Sequence, residues 1–194
     1  MAFLTRTASA KVSAPAAGGS YLNPSKIPSG GSVRFALLSD QPLEFYECWG
    51  ESAEGQLKPF RFVEEPTADD IDVELGDYTR RQNRDGTGFE MPKFAIAVPV
   101  YSFESGTVQV MSLTQKSLIR ELDTISQQED YSDLLAWDFN LSKEGSGLTT
   151  EYRLMPLPRK KGSDASMKEA WDAAQAAGFD IHQLLTGGNP FSKG

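Results

Sequence analysis

The chain has 194 residues, 39% of them hydrophobic, and carries 19 Lys and Arg against 27 Asp and Glu, a formal net charge of −8. That length buries one sizeable core but not two. A lone Cys48 excludes an internal disulfide, and with a lone His182 far from it the chain cannot assemble a Cys/His zinc site. No run of about twenty apolar residues is present to span a bilayer and the first residues lack the apolar core of a secretory signal, so a cytoplasmic protein with no membrane partner is expected.

Residues 1–20 are Ala, Ser, Gly and Thr with Arg6 and Lys11, too poor in large apolar groups to fold alone, and read as a flexible N-terminal arm. After Gly30-Gly31, the residues Val33, Phe35 and Leu37 start a strand that Asp40-Gln41-Pro42 turns. The next strand, Leu43 to Trp49, alternates imperfectly, because Glu47 shares the parity of Leu43, Phe45 and Trp49. A bulge is expected there, and it leaves open which of Tyr46 and Trp49 faces outward. Lys58-Pro59-Phe60-Arg61-Phe62 then reads as a return strand with two cations beside two rings. Thr67 and Asp70 form a capping box for a short acidic helix through Leu75. A loop carrying Arg80, Arg81 and Arg84 follows directly, so an acidic chain still concentrates positive charge locally.

The centre of the chain changes period without a linker. Phe94, Ile96, Val98 and Val100 alternate with Lys93, Ala95, Ala97, Pro99 and Tyr101, and Val108 and Val110 alternate behind the turn Glu104-Ser105-Gly106, which predicts a hairpin. Thr114 as N-cap, with Leu113 and Leu118 as a hydrophobic staple, predicts a helix that lays Leu118, Leu122 and Ile125 on the sheet. A last hairpin pairs Trp137, Phe139 and Leu141 with Tyr152 and Leu154, and Pro156 and Pro158 end the sheet. Behind the basic linker Arg159 to Ser163, the pair Ser166 and Glu169 predicts a capped helix with the stripe Met167, Ala170, Trp171 and Ala174. Asp180 caps one more turn bearing Ile181, Leu184 and Leu185.

These elements predict a mainly β, α+β fold: an antiparallel barrel of the oligonucleotide-binding (OB) type over residues 21–158, with one inserted helix and a C-terminal helical tail over 159–194. Catalysis has little support. The chain lacks the Gly-x-Ser-x-Gly, phosphate-loop and HExxH patterns, so no enzyme, cofactor or metal is expected. Such barrels bind single strands through cations for phosphates and rings for bases. The second parity of the central strand fits: Lys93 at one end, Tyr101 at the other, and small residues between, open to a base unless the tail covers them.

The segments YLNPSKI, YECWGE with KPFRFVEEPT, VQVMSLTQKSLI and WDFNLSKEGSGLTTEYRLMPLP resemble a family of phage and cyanobacterial single-stranded DNA-binding proteins, similar in layout to the T-even phage helix-destabilising protein. The resemblance spans about Tyr21 to Pro158. It implies an OB-fold protein that coats single-stranded DNA, or RNA, in replication, recombination and repair, with self-association on the strand. By resemblance Trp49 and Arg61 head the groove residues, with Tyr46, Lys58 and Phe60 beside them. Arg34, Arg80, Arg81, Lys93 and Tyr101 complete the candidate DNA-binding set. The T-even protein's zinc site is absent, and the tail lacks a dense acidic run. Gly188-Asn189-Pro190-Phe191 resembles the Pro-Phe tip of bacterial single-strand-binding proteins, although Ser192-Lys193-Gly194 follow it. Trp171, Ile181, Leu184, Pro190 and Phe191 are accordingly the candidate surface for replication or recombination proteins. The competing class is a non-enzymatic protein-interaction module of a phage replication or virion assembly, whose acidic surface repels nucleic acid.

Overall fold

The computed structural model describes residues 20–83 and 85–191, so the expected arm, apart from Ser20, together with Arg84 and the last three residues, lies outside the described residues. Its strands are β1 (Tyr21–Leu22), β2 (Gly31–Leu37), β3 (Leu43–Glu51), β4 (Leu57–Phe62), β5 (Thr79–Arg80), β6 (Lys93–Ser102), β7 (Thr107–Leu113), β8 (Trp137–Glu144) and β9 (Glu151–Pro158). The helices are α1 (Ala68–Leu75), α2 (Lys116–Ser126) and α3 (Asp164–Ala176), followed by a 3-10 turn, Ile181–Thr186. Among the described residues no helix is long and apolar enough to cross a membrane.

All nine strands join one sheet ordered β1-β7-β6-β2-β8-β9, with β3 branching from β6 and carrying β4 and β5. Every pairing is antiparallel except β1 on β7. The fold is therefore mainly β with a mixed, open sheet, and the path does not close into the expected barrel. Pro156 sits inside β9, opposite Phe139, and Pro158 is the last residue of that strand, opposite Trp137, so the sheet ends at the prolines as expected. Among the described residues β9 pairs only with β8, and an edge strand tolerates residues that cannot donate a backbone hydrogen bond.

The main core lies on the inner face of the sheet. Phe35, Leu37, Ile96, Val98, Val100, Phe139 and Leu141 point there, and α2 covers them with Leu118, Leu122 and Ile125. α2 bridges β7 and β9. Its start differs from the expected one: Gln115 occupies the N-cap without a side-chain hydrogen bond, so burial of the apolar face rather than a Thr114 cap holds the helix. α3 likewise begins earlier than expected, after Ser163 rather than Ser166. The Thr67–Asp70 capping box and the Asp180 cap form as expected.

The expected bulge in β3 is absent. β3 keeps an unbroken register against β4 and β6, and Glu47 stays on the parity of Phe45 and Trp49 because Arg61, directly opposite on β4, pairs with it at 3.0 Å. A charge that interrupts an alternation is here neutralised across the sheet rather than looped out.

A smaller cluster of Cys48, Phe60, Ile71 and Leu75 fastens α1 to the inner side of β3 and β4. Gly50 makes this close approach possible, since a Cβ there would stand 2.7 Å from Leu75 Cδ2 and 2.9 Å from both Phe60 Cε2 and Tyr78 Cβ. Gly50→Ala is expected to cost about 1–3 kcal/mol through overpacking. Chemical denaturation checks this, and an unchanged midpoint would mean that α1 shifts freely.

Candidate nucleic-acid interface

The register of β3 decides which candidate residues share a surface, because directly opposed residues of antiparallel strands project to the same face. Glu47 lies opposite Arg61 on β4 and Lys93 on β6, while Trp49 lies opposite Pro59. The Arg81 amide donates to the Trp49 carbonyl at 2.9 Å, which carries the β3–β5 register one residue further and places Arg81 beside Trp49. Trp49, Arg61, Arg81 and Lys93 thus gather on the outer face around Glu47. By the same parity Tyr46, Lys58, Phe60 and Arg80 belong to the inner face.

On the outer face Trp49 is half-buried and its indole N–H donates to Glu47 Oε1 at 3.1 Å. Arg61 Nε donates to Glu47 Oε2 at 3.0 Å, and Arg61 Nη1 donates to the Leu184 carbonyl at 2.9 Å. The Arg61 guanidinium also lies 5.4 Å from the centroid of Phe45. Its side chain is only 14% exposed, so Arg61 orients Glu47, and through it the indole, rather than standing free for a phosphate. The available cations are Arg81 and Lys93, both exposed and without an ion-pair partner among the described residues. Exposed Glu51, at the end of β3, and half-buried Glu90, which the Gln82–Phe89 bridge sets opposite Arg81 and whose amide donates to the Arg81 carbonyl at 2.8 Å, are the opposing charges on this face.

The inner-face candidates are committed differently. Phe60 is 6% exposed and its ring is enclosed by the α1 cluster, which corrects its reading as a groove ring. Lys58 is exposed, with its ammonium 4.8 Å from the Phe60 centroid and 5.7 Å from that of Tyr78. Arg80 pairs with Asp72 at 2.8 Å, bonds the Ala68 carbonyl, and lies 5.8 Å from the half-exposed Phe89 ring. Tyr46 stands edge-on to Phe94 at 5.6 Å and opposite Phe62, so three half-buried rings form a row across β4, β3 and β6. Sequence reading missed Phe62 and Phe94 as members of that row, and only the strand register brings them together. The row borders a cleft of about 490 Å³ between β6 and α2, with Phe94, Ile96 and Ile119 in its lining and Lys116, Arg120 and Glu44 among its charges.

One further expectation is corrected. The parity of β6 read as open to bases is closed: Ala95 and Ala97 are fully buried, together with Phe45 and Val110, under Leu184 of the C-terminal segment. Tyr101, at the far end, is 7% exposed. Arg34 is tied into Asp138, described below.

The residues expected to await a partner are spent largely on this roof. Leu184 is 2% exposed and Pro190 is buried, with Ile181 and Phe191 packed around the same cluster. Trp171 meets Phe179 edge-on at 5.3 Å, and Phe179 meets Phe191 at 5.1 Å.

Burial pushes the Cys48 thiol up, against a smaller opposing pull from Arg80, so it is a poor nucleophile. Among the described residues no cluster of His, Cys, Asp or Glu is arranged to hold a metal ion. No protein-family model, curated protein or solved structure matches the chain.

Proposed function

We propose that this chain is a non-enzymatic, sequence-indifferent single-stranded DNA-binding protein, its open sheet an OB-type barrel left unclosed with α2 laid across the gap. One observation carries the reading: strand register assembles a fixed indole, Trp49, with two unpaired cations, Arg81 and Lys93, on one face. A ring for bases beside cations for phosphates is the requirement for binding single strands without reading sequence. Arg61 contributes by neutralising Glu47, which would otherwise repel the backbone at the centre of the site.

Labelled poly-dT titrated at rising salt tests this. Trp49→Ala is expected to weaken binding by about 1–3 kcal/mol with an unchanged salt slope. Arg81→Ala and Lys93→Ala are each expected to flatten the slope by about 0.7. Duplex of equal length should bind far more weakly, since its bases are already stacked on one another. Indifference to poly-dT at low salt, or affinity that ignores salt, would sink the proposal in favour of a protein-interaction module.

A further inference from the structure

A second group of cations stands on the same outer face at the far end of β6. Phe103 follows that strand and meets Tyr101 edge-on at 5.2 Å. The Arg34 guanidinium lies 5.5 Å from the Phe103 centroid and the Lys160 ammonium 5.6 Å from it. One carboxylate anchors the Arg34 guanidinium and the Lys160 backbone from behind. Asp138, fully buried, accepts from Arg34 Nε at 2.9 Å and from the Lys160 backbone amide at 3.0 Å. Arg34 Nη2 also bonds the Pro158 carbonyl at 2.9 Å, while Nη1 has no hydrogen-bond partner among the described residues and the side chain is 34% exposed. The anion is therefore spent inside the fold, while the partly exposed Arg34 guanidinium and the exposed Lys160 ammonium both stand over the Phe103 ring. Exposed Lys161 adds to them; Glu104 and Asp164 are the acids nearby, and Asp164 stands 3.6 Å from Arg159.

Lys93 and Tyr101 share one parity of β6 eight residues apart, about 26 Å at the strand rise of about 3.3 Å per residue. The buried Ala95 and Ala97, roofed by the C-terminal segment, lie between them. Resting on the function proposed above, we propose that the Arg34–Phe103–Lys160 group is a phosphate grip for the same single strand that meets Trp49. A strand must then reach on the order of eight nucleotides, at a stacked rise of about 3.4 Å, before it engages both grips. Engagement of the second grip is intramolecular, so affinity should step up at that length rather than grow smoothly.

Oligo-dT spanning roughly 4 to 16 nucleotides, titrated against the full chain by fluorescence anisotropy, tests the proposal. Wild-type affinity is expected to rise by at least about tenfold between the shortest strands and those of about twelve nucleotides. Lys160→Glu is expected to abolish that step; only its backbone amide serves Asp138, so its melting temperature should match the wild type. Phe103→Ala, which removes the ring between the cations, should shrink the step. A step of wild-type size in Lys160→Glu, or no step in the wild type while Trp49→Ala still weakens long-strand binding, overturns the second grip and leaves the Trp49 face standing. Failure of every strand to bind overturns both.

Discussion

A chain ended after Lys161 is expected to melt roughly 10–20 °C below the full protein, or not to fold at all. The C-terminal segment is not an appendage to a finished domain. Leu184 is 2% exposed and fills the space over Phe45, Ala95, Ala97 and Val110, each fully buried, and Phe179, Ile181, Leu185 and Phe191 pack around it. One fully buried aliphatic side chain contributes about 1.5–3 kcal/mol. With the half-buried residues added, the segment accounts for about 5 kcal/mol or more, a large share of the 5–15 kcal/mol that ordinarily separates folded from unfolded. Removal also cuts the bond from Arg61 to the Leu184 carbonyl, loosening the residue that positions Glu47 and Trp49. Single-strand affinity should therefore fall with stability. Leu184→Ala is the milder variant, expected to cost about 2–5 kcal/mol by leaving a cavity. If the truncated chain melted within a few degrees of the full one and bound poly-dT as well, the segment would be a loosely held arm free for other partners.

The C-terminal segment is one of the places where reading the sequence pointed away from the fold, and the reason is physical. The stripe Met167, Ala170, Trp171 and Ala174 shows that a helix needs a surface, and all four residues are half-buried. Nothing local says whether that surface belongs to the same chain. Period-two alternation in β6 has the same limit: it separates two faces without saying which one water touches. Small residues on a strand fit a close-packed roof as well as an approaching base, and at Ala95 and Ala97 the roof occupies the space.

Elements fixed by neighbours along the chain were legible. The hairpins β6–β7 and β8–β9, the buried face of α2 and the Thr67 capping box all follow from spacing within a few residues. The candidate site was legible only as a set of residue types. Trp49, Arg61, Arg81 and Lys93 come from four strands or their extensions, and the partition that leaves them together while sending Tyr46, Lys58, Phe60 and Arg80 to the other side depends on register. Glu47 carried the clue. A carboxylate on the parity of Phe45 and Trp49 requires a cation across the sheet, and Arg61 is that cation at 3.0 Å.

The other large effect expected is on stability, at Asp138. The carboxylate is fully buried and collects Arg34 Nη2 at 2.7 Å, Arg159 Nη1 at 2.6 Å and the Lys160 amide at 3.0 Å. Those partners come from β2 and from the segment after β9, so one side chain on β8 ties both of its flanks. Asp138→Asn keeps the shape but removes the charge that two guanidinium groups converge on. Breaking a buried pair costs about 3–5 kcal/mol, because the orphaned charge cannot recover its hydration. Here the lower end, about 3 kcal/mol, is expected, since the Arg34 side chain is 34% exposed and regains some water. The surface pair Lys168–Asp172, at 2.6 Å but with side chains 75% and 56% exposed, provides the contrast. Lys168→Ala should cost less than about 0.5 kcal/mol and lose even that at high salt, where exposed charges are screened. Urea midpoints of both variants at low and high salt decide the matter. An Asp138→Asn protein as stable as the wild type would mean that the two arginines repack without their carboxylate, and the rigid presentation of Arg34 and Lys160 over Phe103 would fall with it.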